Sequence, residues 1–285
     1  MAEIKRDAFG WAKQGDIYRG MLERDELLEV SEQREVTDLA LKAFDTALEM
    51  GEKECPKNDR FLSWVHAHKG DTLCMDKRFP QAMDSYHKAI AHNPNYPWGL
   101  AHMGDCLRLI GVQLLATGKV AEATKTFVDA LAAFDKALKL DNCYAWAWAH
   151  RGGVLRYMGA TPDERYEFNK QASESFTRAR ELNTDYAWAQ VYNSISLKIM
   201  GKRDPMLWRP AYLLLAHAAK TYPDIFNQGL HDQVVKPVEG QVYALEEADN
   251  ADPFNAFFAA GLRFAKGTLP EDDPSFKAAE EAGLI

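Results

Sequence analysis

Four stretches of the chain carry an aromatic residue followed, at helical spacing, by groups able to bind or to do acid–base work. They read Trp64, His68, Asp71, Met75; Trp98, His102, Asp105, Leu109; Trp146, His150, Gly153, Tyr157; and Trp188, Tyr192, Ile195, Ile199. Steps of four, three and four residues keep each set on one face of a helix. Phe9, Lys13, Asp16 and Gly20 stand in the same register near the start. One residue beside this face runs a second row: Arg19, Cys74, Arg108, Arg156 and Lys198. Aromatic rings with arginine are the usual anchors of interfaces, so the chemistry on offer is binding. The indoles would hold apolar groups, and His68, His102 and His150 would read polar ones. Arg19, Arg108 and Arg156 would grip acids, with Asp71 and Asp105 beside them. The same residues have a structural reading. Each tryptophan can pack on its neighbours, since Tyr96, Tyr144 and Tyr186 stand two residues before three of them, and Asp105 can satisfy Arg108 or His102 at i, i+3. Two neighbouring imidazoles could share a metal with Asp71 or Asp105, but repetition explains their spacing without one, and no metal or cofactor is expected. No Gly-x-Ser-x-Gly or P-loop pattern occurs, so no catalytic residue is assigned.

The elements that must position these faces repeat. Gly70, Leu73, Ala82, Tyr86, Ala89 and Pro94 are echoed by Gly104, Leu107, Ala130, Phe134, Ala137 and Asn142. Gly152, Leu155, Ala172, Phe176 and Ala179 follow, then Ser194, Leu197, Ala211, Leu215 and Ala218. Trp11, Gly15 and Tyr18 with Ala40, Phe44 and Ala47 open the series, and Phe257, Gly261 and Phe264 repeat only its first half. Each unit is a helical hairpin in which small residues at the crossing let two helices approach closely, and Pro, Asn or Asp ends the second helix. This pattern resembles the tetratricopeptide repeat (TPR) family, most clearly at Trp11/Gly15/Tyr18, from Phe61 to Tyr96, and at Trp148/Gly152/Leu155 with Ala172/Phe176/Ala179. The resemblance implies an all-α, right-handed solenoid of about five hairpins, in units of roughly 8–52, 61–96, 97–144, 145–186 and 187–225. Residues 226–285 are expected to add an irregular segment, a partial repeat and a C-terminal capping helix. The third unit should have two lengthened helices. The fourth carries a polar insertion, Ala160 to Lys170, with Thr161-Pro162-Asp163 as a helix start.

In TPR proteins the first helices line a concave groove, so the resemblance implies that the tryptophan face points into one. Six of the seven tryptophans fall on first helices; Trp11 and Trp148 lie on the buried stripe, and Trp208 lies in an insertion. The lysine and asparagine with which chaperone-binding members grip a C-terminal carboxylate are replaced by Ala12 and Asp16, and by Ala67 and Asp71. That binding mode is therefore not expected. The loops Asn95-Tyr96-Pro97-Trp98 and Asp185-Tyr186-Ala187-Trp188 are also similar to the repeats of prenyltransferase α subunits, though the glycine/alanine spacing favours TPR.

Composition narrows the partners. The 285 residues carry a net charge of −8 with 47% hydrophobic and 27% charged residues, which disfavours nucleic acid. No apolar run is long enough to span a membrane. The start lacks the apolar stretch of a signal peptide, and Cys55, Cys74, Cys106 and Cys143 are widely spaced, which fits reduced thiols in the cytoplasm. The expected function is a non-catalytic interaction module or adaptor taking a peptide or partner helix in the groove. The alternatives are a small-molecule or metal function, enzymatic or not, in the same groove, and a homo-oligomeric scaffold built on the long helices.

Overall fold

The structure, a computed structural model, describes residues 7–23, 30–54, 57–201 and 203–207, and individual positions between 210 and 218. Nine α-helices occupy the described residues, with no strand among them. They are α1 (Ala8–Glu23), α2 (Val30–Glu54), α3 (Asp59–Met75), α4 (Phe79–His92), α5 (Pro97–Ala116), α6 (Val120–Leu140), α7 (Ala145–Leu155), α8 (Pro162–Leu182) and α9 (Ala187–Gly201), followed by a short 3-10 turn, Pro205–Leu207. The expected partial repeat, the cap, Trp208 and the segment 226–253 lie outside the described residues.

Local chemistry sets the helix ends. Asn58 caps α3 by accepting the Phe61 N–H at 3.1 Å. Thr161 and Glu164 cap α8 reciprocally. The Thr161 hydroxyl accepts the Glu164 N–H at 3.2 Å, and the Glu164 carboxylate accepts the Thr161 N–H at 3.0 Å. From Pro162 on, the polar insertion of the fourth unit is the first part of α8, with Thr161 at its N-cap, in line with the helix start read from the sequence. Three second helices stop on the same device. Asn93, Asp141 and Asn183 each accept, on the side-chain oxygen, the backbone N–H two residues on, at 3.0–3.2 Å. In the third unit α5 has 20 residues to α3's 17, and α6 has 21 to α4's 14, so the second helix takes the larger share of the lengthening.

The chain divides into two compact units, Met1–Cys143 and Tyr144 onward. In the first, α1/α2, α3/α4 and α5/α6 are the hairpins; α2 also packs on α3, and α4 on α5. The first helices touch one another, α1 to α3 and α3 to α5. The second unit holds the α7/α8 hairpin with α9 against it. In each hairpin a glycine of the first helix faces a ring of the second. Cβ positions built on Gly15, Gly70, Gly104 and Gly152 would lie 2.7, 3.2, 3.0 and 2.9 Å from Phe44, Tyr86, Phe134 and Phe176. Those four rings are fully buried, as are the alanines flanking them one turn either side. The glycine is therefore a matter of room: a side chain there would push the helices apart. Trp11 and Trp148, at the outer end of this stripe, are half-buried rather than enclosed.

Candidate functional site

Helical spacing of four brings each tryptophan over the residue that follows it on the same face. In the first unit the Trp64 and His68 rings are 3.9 Å apart, and those of Trp98 and His102 are 3.8 Å apart. Packing of α5 beside α3 then slides Trp98 onto the other side of His68, 4.2 Å away and nearly parallel. The result is one stack, Trp64–His68–Trp98–His102, in which His68 is sandwiched between two indoles. The second unit builds its own stack: Trp146–His150 at 3.7 Å, His150–Trp188 at 4.7 Å and Trp188–Tyr192 at 4.5 Å. The loop tyrosines Tyr96, Tyr144 and Tyr186 lie 5.9–6.3 Å from the next tryptophan. Trp188 also meets Phe176 of the preceding second helix edge-on at 5.8 Å. The tryptophans thus do not form a bare row. They alternate with the rings that sequence reading placed farther across the groove, and all four are half-buried. Each aromatic pair contributes about 0.5–1.5 kcal/mol beyond its burial.

The charges beside the first stack satisfy one another. Arg19 of α1 donates to Asp16 at 3.0 Å, to Glu23 at 2.6 Å and, across to α3, to Asp71 at 2.9 Å. Its guanidinium lies 5.7 Å from the Trp98 ring. Asp71 also pairs with His102 Nδ1 at 3.0 Å and accepts the Tyr86 hydroxyl at 3.4 Å. Burial works to raise the Asp71 carboxyl's pKa, but His102 and Arg19 outweigh it and the net direction is down. His68 Nδ1 sits 3.0 Å from Asp16, in ion-pair contact though off-line for a good hydrogen bond. That contact is the main reason the Asp16 carboxyl is held at about 2, against burial, with Arg19 adding to it. Burial pushes His68 below its ordinary value, with Asp16 opposing. His66, on the buried stripe, is pushed by burial to about 4. Arg108 donates to Asp105 at 2.7 Å, and the Arg156 guanidinium lies 4.4 Å from the Tyr192 ring. Tyr157 is exposed, whereas Tyr192, Lys198 and Cys74 are buried. The row of cations read as open to a partner is therefore drawn largely into internal contacts. Among the described residues no three His, Cys, Asp or Glu side chains are grouped to hold a metal, and no helix is long and apolar enough to cross a membrane.

Open space lies beside the stack, between α1 and α3, in a cleft of about 610 Å³. Phe9, Phe61, Trp64 and Tyr96 wall it. Phe9 and Phe61 meet at 4.4 Å. Two glycines set the other contacts: Phe61 presses on Gly51 and Tyr96 on Gly99, where added Cβ atoms would fall 2.5 and 2.8 Å from the rings. Ala12, Lys13, Arg60, Asn58, Asn93 and Asp16 complete the lining. Phe9, Lys13, Asp16 and Trp64 are legible from the helical register. Phe61, Arg60 and Tyr96 are not, although Phe61 stands one turn before Trp64 and so could have been tried on the same face.

Helical hairpins closed by a glycine against a buried ring, with first helices in mutual contact, define an all-α, TPR-like solenoid. One solved structure supports the fold. A thermophilic TPR protein of Thermus thermophilus is similar to this chain at 16% identity with a TM-score of 0.52, over 90% of this chain and 98% of that one. PilF of Pseudomonas aeruginosa aligns at 17% identity and a TM-score of 0.47, over 88% of this chain and 99% of its own. The C-terminal part of a TPR repeat-containing protein of Cytophaga hutchinsonii aligns at 13% identity and 0.48, over 97% and 89%. The sequence matches no family model and no curated protein.

Proposed function

We propose that the chain is a protein-interaction module, acting as an adaptor that takes a peptide segment or partner helix on the tryptophan-bearing face of its first helices. The observation that carries this reading is the aromatic cleft between α1 and α3. Its volume lies within the roughly 300–1,000 Å³ typical of ligand sites, and Phe9, 52% exposed, forms part of its wall. A large aromatic surface left open on a helix packed on its other side marks an interface. The neighbouring Cys74 and Cys106 thiols, buried and unbridged, support a reducing compartment such as the cytoplasm.

Panning a random peptide library on the immobilised protein tests the proposal. Enriched peptides are expected to bind in solution. They are also expected to lose at least tenfold in affinity when a cleft residue is altered, in Phe9→Ala or Trp64→Ala, with the melting curve of the variant checked in parallel. Failure to enrich any peptide, or peptides indifferent to both changes in folded variants, refutes the cleft as the binding surface.

A further inference from the structure

We infer that the α1/α3 cleft selects an acidic–apolar peptide segment: one large apolar side chain seated against Phe9, Phe61, Trp64 and Tyr96, with Asp or Glu on either side of it. This rests on the interaction-module reading above and names the partner's chemistry.

Two exposed cations at the rim carry the inference. Lys13 projects from α1 and Arg60 from the first turn of α3; both line the cleft and are solvent-exposed. No carboxylate among the described residues pairs with either one, although the chain has an excess of acids. The carboxylates nearby are committed elsewhere. Asp16, the one acid lining the cleft, is held by His68 and Arg19. Asp59, next to Arg60, pairs with His92 at 2.9 Å. An incoming carboxylate would thus meet two cations without an internal competitor, and Arg60 offers a planar fork suited to it.

The same observations decide against other ligands. An aromatic-walled cleft is also the shape that receives a quaternary or methylated ammonium group, but Lys13 and Arg60 would repel that charge and Asp16 is already engaged by Arg19 and His68. A long polyanion such as nucleic acid needs a basic stripe, whereas this chain offers two local cations against a net charge of −8. A C-terminal carboxylate is not required, because the apolar wall and the cations lie side by side and an internal segment can meet both. The side-chain amides of Asn58 and Asn93 use their oxygens on the Phe61 and Asn95 N–H groups. Their NH₂ groups have no acceptor among the described residues, which leaves them as donors to a bound backbone.

The test is fluorescence anisotropy with labelled peptides, blocked at both ends, that carry a central Phe flanked on each side by two Asp. Controls are the same peptide with Lys for Asp, the same with Ala for Phe, and a short single-stranded oligonucleotide. The acidic Phe peptide is expected to bind at least tenfold tighter than any control, and to weaken several-fold as salt is raised. Lys13→Glu and Arg60→Glu, both at exposed positions, are each expected to weaken it at least fivefold while melting like the parent. Equal binding of the Lys peptide, preference for the oligonucleotide, or unchanged affinity in both folded variants overturns the inference. If the acidic peptide fails while panned peptides still depend on Phe9 or Trp64, the partner chemistry is wrong and the module reading stands. If the panned peptides fail as well, the module reading falls with it.

Discussion

Asp71→Ala is expected to destabilise the protein by about 3 kcal/mol, measured by urea or thermal unfolding. The Asp71 carboxylate joins Arg19 from α1, Tyr86 from α4 and His102 from α5. Its removal leaves Arg19, whose side chain is 11% exposed, with the two acids of its own helix. Breaking a buried charge pair from one side costs about 3–5 kcal/mol, and the remaining acids place the expectation at the lower end. Asp71→Asn keeps an acceptor oxygen and should lose less. Acid sensitivity has the same origin. Asp16 and Asp71 bind protons more weakly in the folded state than in the unfolded chain, and so do His66 and His68. Each such group contributes stability that is complete above its unfolded value and lost as pH falls toward its folded one. The histidine share should therefore disappear from pH 6.5 downward, through about 4 for His66. The carboxylate share should go below about 3.8, toward 2 for Asp16. His66→Leu should flatten the first limb and Asp71→Ala the second. A melting temperature indifferent to Asp71→Ala would mean that the network is incidental to the packing of α1, α3 and α5.

Gly152→Val is expected to be at least as damaging. A Cβ at Gly152 already lies 2.9 Å from the ring of Phe176, which is fully buried, and 3.1 Å from the Ala172 carbonyl oxygen. The backbone oxygen cannot step aside by rotamer change, so valine's methyls must part α7 from α8. Overpacking of this kind costs about 1–3 kcal/mol, and the branched side chain should reach the top of that range. Gly20→Ala on α1 is the matched contrast. Nothing lies within 4 Å of its Cβ position, so only helix propensity acts, with a gain of about 1 kcal/mol. Opposite signs at two helical glycines separate the need for room from the cost of backbone freedom. A neutral Gly152→Val would contradict the crossing geometry.

The hairpins were legible in the sequence because their determinants are local. A glycine and a ring on facing helices, alanines one turn either side, and Asn or Asp two residues before a free N–H each fix geometry within a single unit. The common register of Trp64, Trp98, Trp146 and Trp188 on their own helices followed from helical rotation alone. What filled the space between them did not. That His68 takes an indole on both sides depends on how far α5 is rotated against α3, and no spacing within one helix records this. Arg19 illustrates the same limit: its row position suggested an open cation, but its partner Asp71 lies 52 residues away. The cleft was half legible. Phe9, Lys13 and Trp64 share the readable register, whereas Phe61 comes from a helix start pressed on Gly51, and Tyr96 from a loop pressed on Gly99. These contacts between non-neighbours decide where the open surface is.

The binding face itself is most directly tested by the indole N–H signals of the seven tryptophans, followed by NMR as an enriched peptide is titrated in. One or more of Trp64, Trp98, Trp146 and Trp188 should shift in step with binding, while Trp148, on the stripe packed toward the second helices, stays in place. Saturating binding that leaves those four signals unmoved would contradict the assignment of this face.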